Sequence, residues 1–238
     1  LGFRGEALPS MASISRFQLT TRPREADEGL RLQIEGGKML EASPIGCAPG
    51  TSIEVADLFF NVPARRKFLK STATESAHVT DVCQRAALAH PDLRLTLTRD
   101  GRKTREFLPV PTWFERAGQV IGDTDLVQIE EQRGPVAVRA ALSAPEQARS
   151  GAQGLHVLVN GRPVRERALS RSIAFAYGSV IPPGRFPVGV VHIEVDHTEV
   201  DVNVHPQKAE VRFSRGREVH DSLTRMLAAQ LGTRAWEG

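Results

Sequence analysis

Val191, Ile193 and Val195 alternate with His192 and Glu194, and after the polar stretch 196–199 the alternation resumes at Val200, Val202 and Val204. Only a strand repeats its side chains every two residues, so both segments belong to a sheet with one apolar face. The polar turn between them predicts a hairpin, with Asp201, Asn203 and His205 facing outward. Period-two patterns also cover residues 17–21, 30–35, 52–55, 93–98, 136–142 and 155–160. Helical spacing instead relates Val79, Val82, Cys83 and Ala86, then Leu169, Ile173 and Tyr177, then Val219, Leu223, Met226, Leu227 and Leu231. Strands and one-sided helices in this mixture define an α+β fold.

The chain has 238 residues and 40% hydrophobic content, enough for two ordinary cores. Asp100-Gly101 marks a tight hairpin that closes the first unit, and Pro109 and Pro111 make a stiff connector. The expected domains are therefore 1–110 and 111–238. Residues 143–154, rich in Gly, Ser, Ala and Gln, are expected to form a mobile loop. No apolar run reaches the roughly 18 residues of a membrane span, so no membrane partner is expected. Cys47 and Cys83 have no zinc-like spacing and read as reduced thiols of an intracellular protein. None of the seven histidines has a partner four residues away, which leaves no metal site to argue.

Three stretches carry candidate chemistry. Residues 1–8, L-G-F-R-G-E-A-L, set two glycines and an arginine before a helical run. Such a start makes either a plain turn and cap or a cradle for a phosphate, and the spacing alone does not choose. Residues 50–69 place a Gly-Thr pair before a strand and lead through Phe59, Phe60, Asn61 and Pro63 into Arg65, Arg66 and Lys67. This is equally a glycine turn with an aromatic anchor and a solvated basic end. Between Arg139 and Arg171 stand six arginines and two glutamates, a net charge of +4 in a chain of net +3 and pI about 9.2. That run is either a solvated face or a track for a nucleic-acid backbone, bound without sequence preference and weakened by salt. No aromatic residue interleaves these arginines, which argues against base stacking as the main source of binding.

Together with V-N-G-R at residues 159–162 and V-D-V-N-V-H-P-Q-K-A-E-V-R-F at 200–213, these motifs closely resemble the MutL family of DNA mismatch-repair ATPases. The resemblance runs in family order over nearly the whole chain. It implies the distal part of a GHKL-type ATPase α/β sandwich, followed by the smaller α+β domain shared by gyrase and ribosomal proteins. It implies ATP with Mg2+ as cofactors, and Gly2, Phe3, Arg4, Gly5 and Thr51 as nucleotide contacts. Lys208 would reach from the second domain to the γ-phosphate, where a compact ammonium suits the charge on several oxygens. Arg167, with Arg162 and Arg165, would contact DNA.

The resemblance further implies closure of the N-terminal regions into a homodimer around DNA, and a role linking a MutS-type mismatch sensor to a nicking endonuclease and a helicase. The location would be cytoplasmic, or nucleoid-associated in a bacterium. In the family an E-x-x-x-N helix with the general-base glutamate and a metal-binding asparagine precedes G-F-R-G-E-A-L, whereas this sequence opens on Leu1. A poor ATPase on its own is therefore expected. A nucleotide-independent DNA-binding module and a partner-binding fragment are the alternative readings.

Overall fold

The computed structural model describes residues 6–122, 125–201 and 211–232. The chain folds as two compact units, Leu1–Ser76 and Ala77–Gly238.

The first unit runs α1 (Ala7–Ala12), β1 (Arg16–Arg22), β2 (Gly29–Glu35), β3 (Lys38–Ile45), β4 (Gly50–Ala56) and α2 (Pro63–Arg66). Its four strands form an antiparallel sheet in the order β3-β2-β1-β4. Register carries the alternation across the sheet: Phe17 pairs with Ile34 and Val55, and Leu19 with Leu32 and Ile53. Apolar residues therefore share one face, while Gln18, Gln33 and Glu54 share the other.

The second unit holds most of α3 (Thr72–Ala89), then β5 (Leu95–Arg99), β6 (Arg102–Phe107), α4 (Trp113–Ile121), β7 (Val127–Arg133) and β8 (Val136–Leu142). It continues through β9 (Arg149–Ser150), β10 (Leu155–Val159), β11 (Arg162–Val164), α5 (Arg167–Phe175), β12 (Arg185–Phe186) and β13 (Gly189–Glu194). β14 (Val200–Asp201), β15 (Arg212–Phe213) and α6 (Gly216–Leu231) complete it. Five strands make its main sheet in the order β11-β10-β13-β8-β7, and only β10 and β13 pair in parallel. A parallel pair needs a crossover between its members, and the segment containing α5 supplies it.

Both faces of this sheet are covered. Val157, Val159, Val191 and Ile193 point into one core with Leu169 and Ile173 of α5 and Leu223 and Leu227 of α6. Their neighbours Leu158 and Val190 point the other way, against Ala87 and Leu88 of α3 and Trp113 and Ala117 of α4. Gly189 enters β13 at φ +152, where a Cβ would stand 2.2 Å from the Ala141 carbonyl oxygen, so the central strand has no room for a side chain there.

Three expectations are corrected. Val200–Asp201, the described part of the alternation that follows β13, pairs with β15 and not with β13; Val202, Asn203, Val204 and His205 lie outside the described residues. The reason is that β10 and β8 already occupy both edges of β13. On α3 the expected stripe is displaced: Val79 and Val82 are 51% and 62% exposed, and Leu88 is buried. Its inner side carries Gln84, which donates to the Val120 carbonyl, and the ion pair of Asp81 with Arg85. Residues 143–154, expected to be mobile, are tied at several points. Tyr177 Oη donates to the Ser143 carbonyl at 2.7 Å, Ser143 Oγ accepts from the Val188 N–H, and Arg185 donates to the Ala148 carbonyl. Cys47 and Cys83 are free thiols.

Candidate nucleic-acid interface

The basic surface begins at the turn between β10 and β11. Asn160 and Gly161 adopt φ +49 and +74, the left-handed pair of a type I′ turn. The Asn160 side chain works as an extra piece of strand: its Oδ1 accepts from the Val195 N–H at 2.9 Å, and its Nδ2 donates to the Val195 carbonyl at 3.0 Å. From below, the Gly161 N–H donates to Nε2 of His192 at 2.8 Å. A backbone N–H can only donate, so Nε2 carries no proton and the ring is the neutral Nδ1–H tautomer. The ring stacks on Trp113 with centroids 6.1 Å apart. Its Nδ1 lies 3.5 Å from Glu194, which also pairs with Arg139. Burial holds the His192 pKa below its ordinary value, with Glu194 opposing that shift and Arg139 adding to it.

The turn thus fixes where the arginines leave the sheet. Arg162 opens β11, and its Nη1 is buried with no hydrogen-bond partner among the described residues. Arg165 follows the strand and donates to Asp81 of α3. Arg167 is the first residue of α5 and is exposed. The structure brings Arg165 and Arg167 to one open cavity of about 670 Å³, and Arg212 of β15, which charge counting in 139–171 did not reach, lines it too. Arg162 stands at the other end of β11 and is not part of its lining. His220 completes the wall, held by Ser172 Oγ at 3.0 Å and by an edge contact to Phe213; burial lowers its pKa. Three arginines and one glutamate, Glu166, line this opening beside the start of a helix, and the excess of positive charge favours an anion.

Of the nucleotide candidates, only Thr51 falls among the described residues. It lies on β4, an edge of its sheet in the described strand order, and its hydroxyl is 2.8 Å from that of Thr21. Gly2, Phe3, Arg4, Gly5 and Lys208 lie outside the described residues. No helix among the described residues is long and apolar enough to cross a membrane.

The antiparallel sheet unit and the α+β unit match, in fold, the solved ATPase domains of DNA mismatch-repair proteins. The family model for the C-terminal domain of DNA mismatch repair protein matches residues 119–232. The DNA mismatch repair protein MutL of Anaeromyxobacter dehalogenans (strain 2CP-C) is 44% identical over 239 residues, covering 99% of this chain and 39% of that protein. Among solved structures, the Aquifex aeolicus MutL ATPase domain complexed with ADP superposes with TM-score 0.68 at 30% identity, over 80% of this chain and 71% of that one. The N-terminal domain of a DNA repair protein shares the fold, with TM-score 0.81 at 22% identity over 98% of this chain and 76% of that one. The chain belongs to the MutL family of DNA mismatch-repair proteins. It spans about two fifths of the length of the curated relatives it matches.

Proposed function

We propose that this chain is the part of a mismatch-repair ATPase that grips DNA in response to nucleotide state. In the whole protein, ATP drives the N-terminal regions together into a dimer that clamps DNA, and the clamp links a MutS-type mismatch sensor to strand incision by a nicking endonuclease and to a helicase. The observation that carries the DNA reading is the meeting of Arg165, Arg167 and Arg212 on one open cavity. The second domain proposed at 111–238 would hold the DNA backbone through Arg162, Arg165 and Arg167, by charge and without reading bases.

The ADP held by the Aquifex aeolicus relative supports a nucleotide for this family member. Thr51 fits such a role: its exposed hydroxyl has one neighbour, Thr21, and keeps capacity for a second bond. Gly2, Phe3, Arg4 and Gly5 would cradle phosphates, and Lys208 would meet the γ-phosphate. Bound ATP would supply the phosphoryl group whose hydrolysis reopens the clamp. For Mg2+ the described residues offer no group of three or more His, Cys, Asp or Glu, so no step is assigned through it.

Arg167→Glu in the full chain tests the DNA reading. Affinity should fall alike for unrelated sequences, and the salt dependence should become shallower. Unchanged binding, or a loss confined to one sequence, overturns backbone contact. Lys208→Ala in the complete protein should lower ATP turnover; normal turnover with normal folding overturns that assignment.

A further inference from the structure

One side chain in the wall of the basic cavity changes its charge near neutral pH. His220 of α6 lines the cavity with Arg165, Arg167 and Arg212, and Glu166 is the one acid of that lining among the described residues. An imidazole ordinarily titrates between about pH 5 and 8, where guanidinium and carboxylate groups keep their charge. Two contacts fix the ring: Nδ1 lies 3.0 Å from Ser172 Oγ of α5, and the Phe213 ring of β15 meets it edge to face. Its Nε2 lies 4.0 Å from Oε1 of Glu166, beyond hydrogen-bond reach. The side chain is 24% exposed, so a ligand in the cavity can touch it. The charged groups around the ring are Glu166 and Arg167 from α5, Arg212 from β15, Arg165 from the link after β11, and Asp221 on its own helix. Burial holds the ring toward its neutral form, against the pull of Asp221. A phosphodiester in the cavity reverses that balance, because an anion within about 4–6 Å favours the charged imidazole.

We propose that His220 is a fourth phosphate contact of this cavity and takes up a proton as DNA binds, so that the grip on DNA tightens as pH falls. This rests on the DNA-binding reading above and adds to it a residue and a proton. With a neutral ring the side chains of the lining carry a charge of +2, from three arginines and one glutamate; with the proton they carry +3. Geometry gives the proton a direction. In the charged ring both nitrogens donate, so Nδ1–H is satisfied by Ser172 Oγ and Nε2–H is left for a phosphate oxygen. That bond joins a cation to an anion, the shorter and stronger kind. Glu166 is the competitor for the same N–H, and it stands too far away to take it without moving. Linkage makes the effect reciprocal: by whatever factor bound DNA raises the proton affinity of the ring, the proton raises the affinity for DNA. One proton limits the gain to about tenfold per pH unit.

The test is fluorescence anisotropy of the full chain with a labelled duplex at fixed salt, in steps from about pH 8 to about pH 6, where phosphodiesters keep their charge. Affinity of the parent should rise on acidification. His220→Gln keeps a partner for Ser172 but cannot titrate, and it should lose at least about threefold of that rise, the two proteins converging at the alkaline end. Titration calorimetry in two buffers of different ionisation enthalpy should show proton uptake on binding by the parent and less by His220→Gln. If the variant keeps the parent's pH dependence and proton uptake while Arg167→Glu weakens binding, the His220 inference falls and the backbone reading stands. If Arg167→Glu binds as the parent does, the DNA reading falls and the inference with it. An equal loss of affinity at every pH would make His220 a packing residue and overturn the proposal. Should His220→Gln fail to fold, the imidazole resonances of the parent decide: one ring titrating at higher pH with duplex bound supports the proposal, and no upward shift in any ring overturns it.

Discussion

Arg165 donates through Nη2 to Oδ2 of Asp81 at 2.5 Å, joining residues 84 positions apart. The same carboxylate accepts from Arg85 one turn further along α3. Asp81 therefore occupies Arg165 much as a phosphate oxygen would, with the Arg165 side chain 62% exposed and Asp81 27% exposed.

An exposed pair of this kind contributes at most about 1 kcal/mol to stability, so its main effect falls on ligand competition. Asp81→Asn should keep the fold and free one guanidinium for the DNA backbone. Duplex affinity at low salt should rise, and the slope of log K against log salt should steepen by about 0.9, the value of one added phosphate contact. A titration with an unchanged slope would show that Arg165 does not gain a phosphate when Asp81 lets go.

Acidification bears on the other end of the basic surface. His156, His192 and His220 all have pKa values held down, with burial the largest cause in each. The unfolded chain then binds more protons than the folded one below about pH 6.5, so stability falls as pH falls through that range. For His192 the structural cost is specific: a proton on Nε2 would face the Gly161 N–H that it now accepts, with Arg139 nearby and only Glu194 to compensate. Thermal unfolding should shift downward between pH 7.5 and 5.5, by no more than about 1.4 kcal/mol per pH unit for each histidine. His192→Gln keeps an acceptor for Gly161 and should flatten that dependence. Stability that is level or rising on acidification would contradict neutral buried histidines.

Local signals were legible wherever one element is closed by its own residues. The stripe Val219, Leu223, Met226, Leu227 and Leu231 is the buried side of α6, and Asp100-Gly101 turns with positive φ. What escaped depends on pairings far along the chain. The alternation after β13 reads as a hairpin because nothing local shows that β8 and β10 already take its edges. Before Ala87 and Leu88 enter the core, the inner side of α3 carries Asp81, Gln84 and Arg85, so the apolar stripe read at Val79 and Val82 missed the buried face. In the basic cavity, Arg165 and Arg167 follow from charge density, whereas Arg212 joins them only through the fold.

α4 was missed for a related reason: Arg116 lies in its middle and is fully buried. Its guanidinium donates at 2.7 Å to the carbonyls of both Pro91 and Leu93 and reaches Gln119 at 3.0 Å, which ties α4 to the link between α3 and β5. Pro91 keeps a second donor in the Val110 N–H, so removing Arg116 withdraws the bond chiefly from the Leu93 carbonyl. Arg116→Met preserves most of the apolar stem and removes the donors. A buried acceptor left unpaired costs about 1–3 kcal/mol, and that is the loss expected in urea denaturation. The opposing term is desolvation of the guanidinium, which also pulls its pKa down. Equal or greater stability in the methionine variant would mean that desolvation outweighs the three hydrogen bonds. Arg116→Lys discriminates further: an ammonium can reach one carbonyl but lacks the planar fork that spans both, so its stability should fall between the parent and the methionine variant.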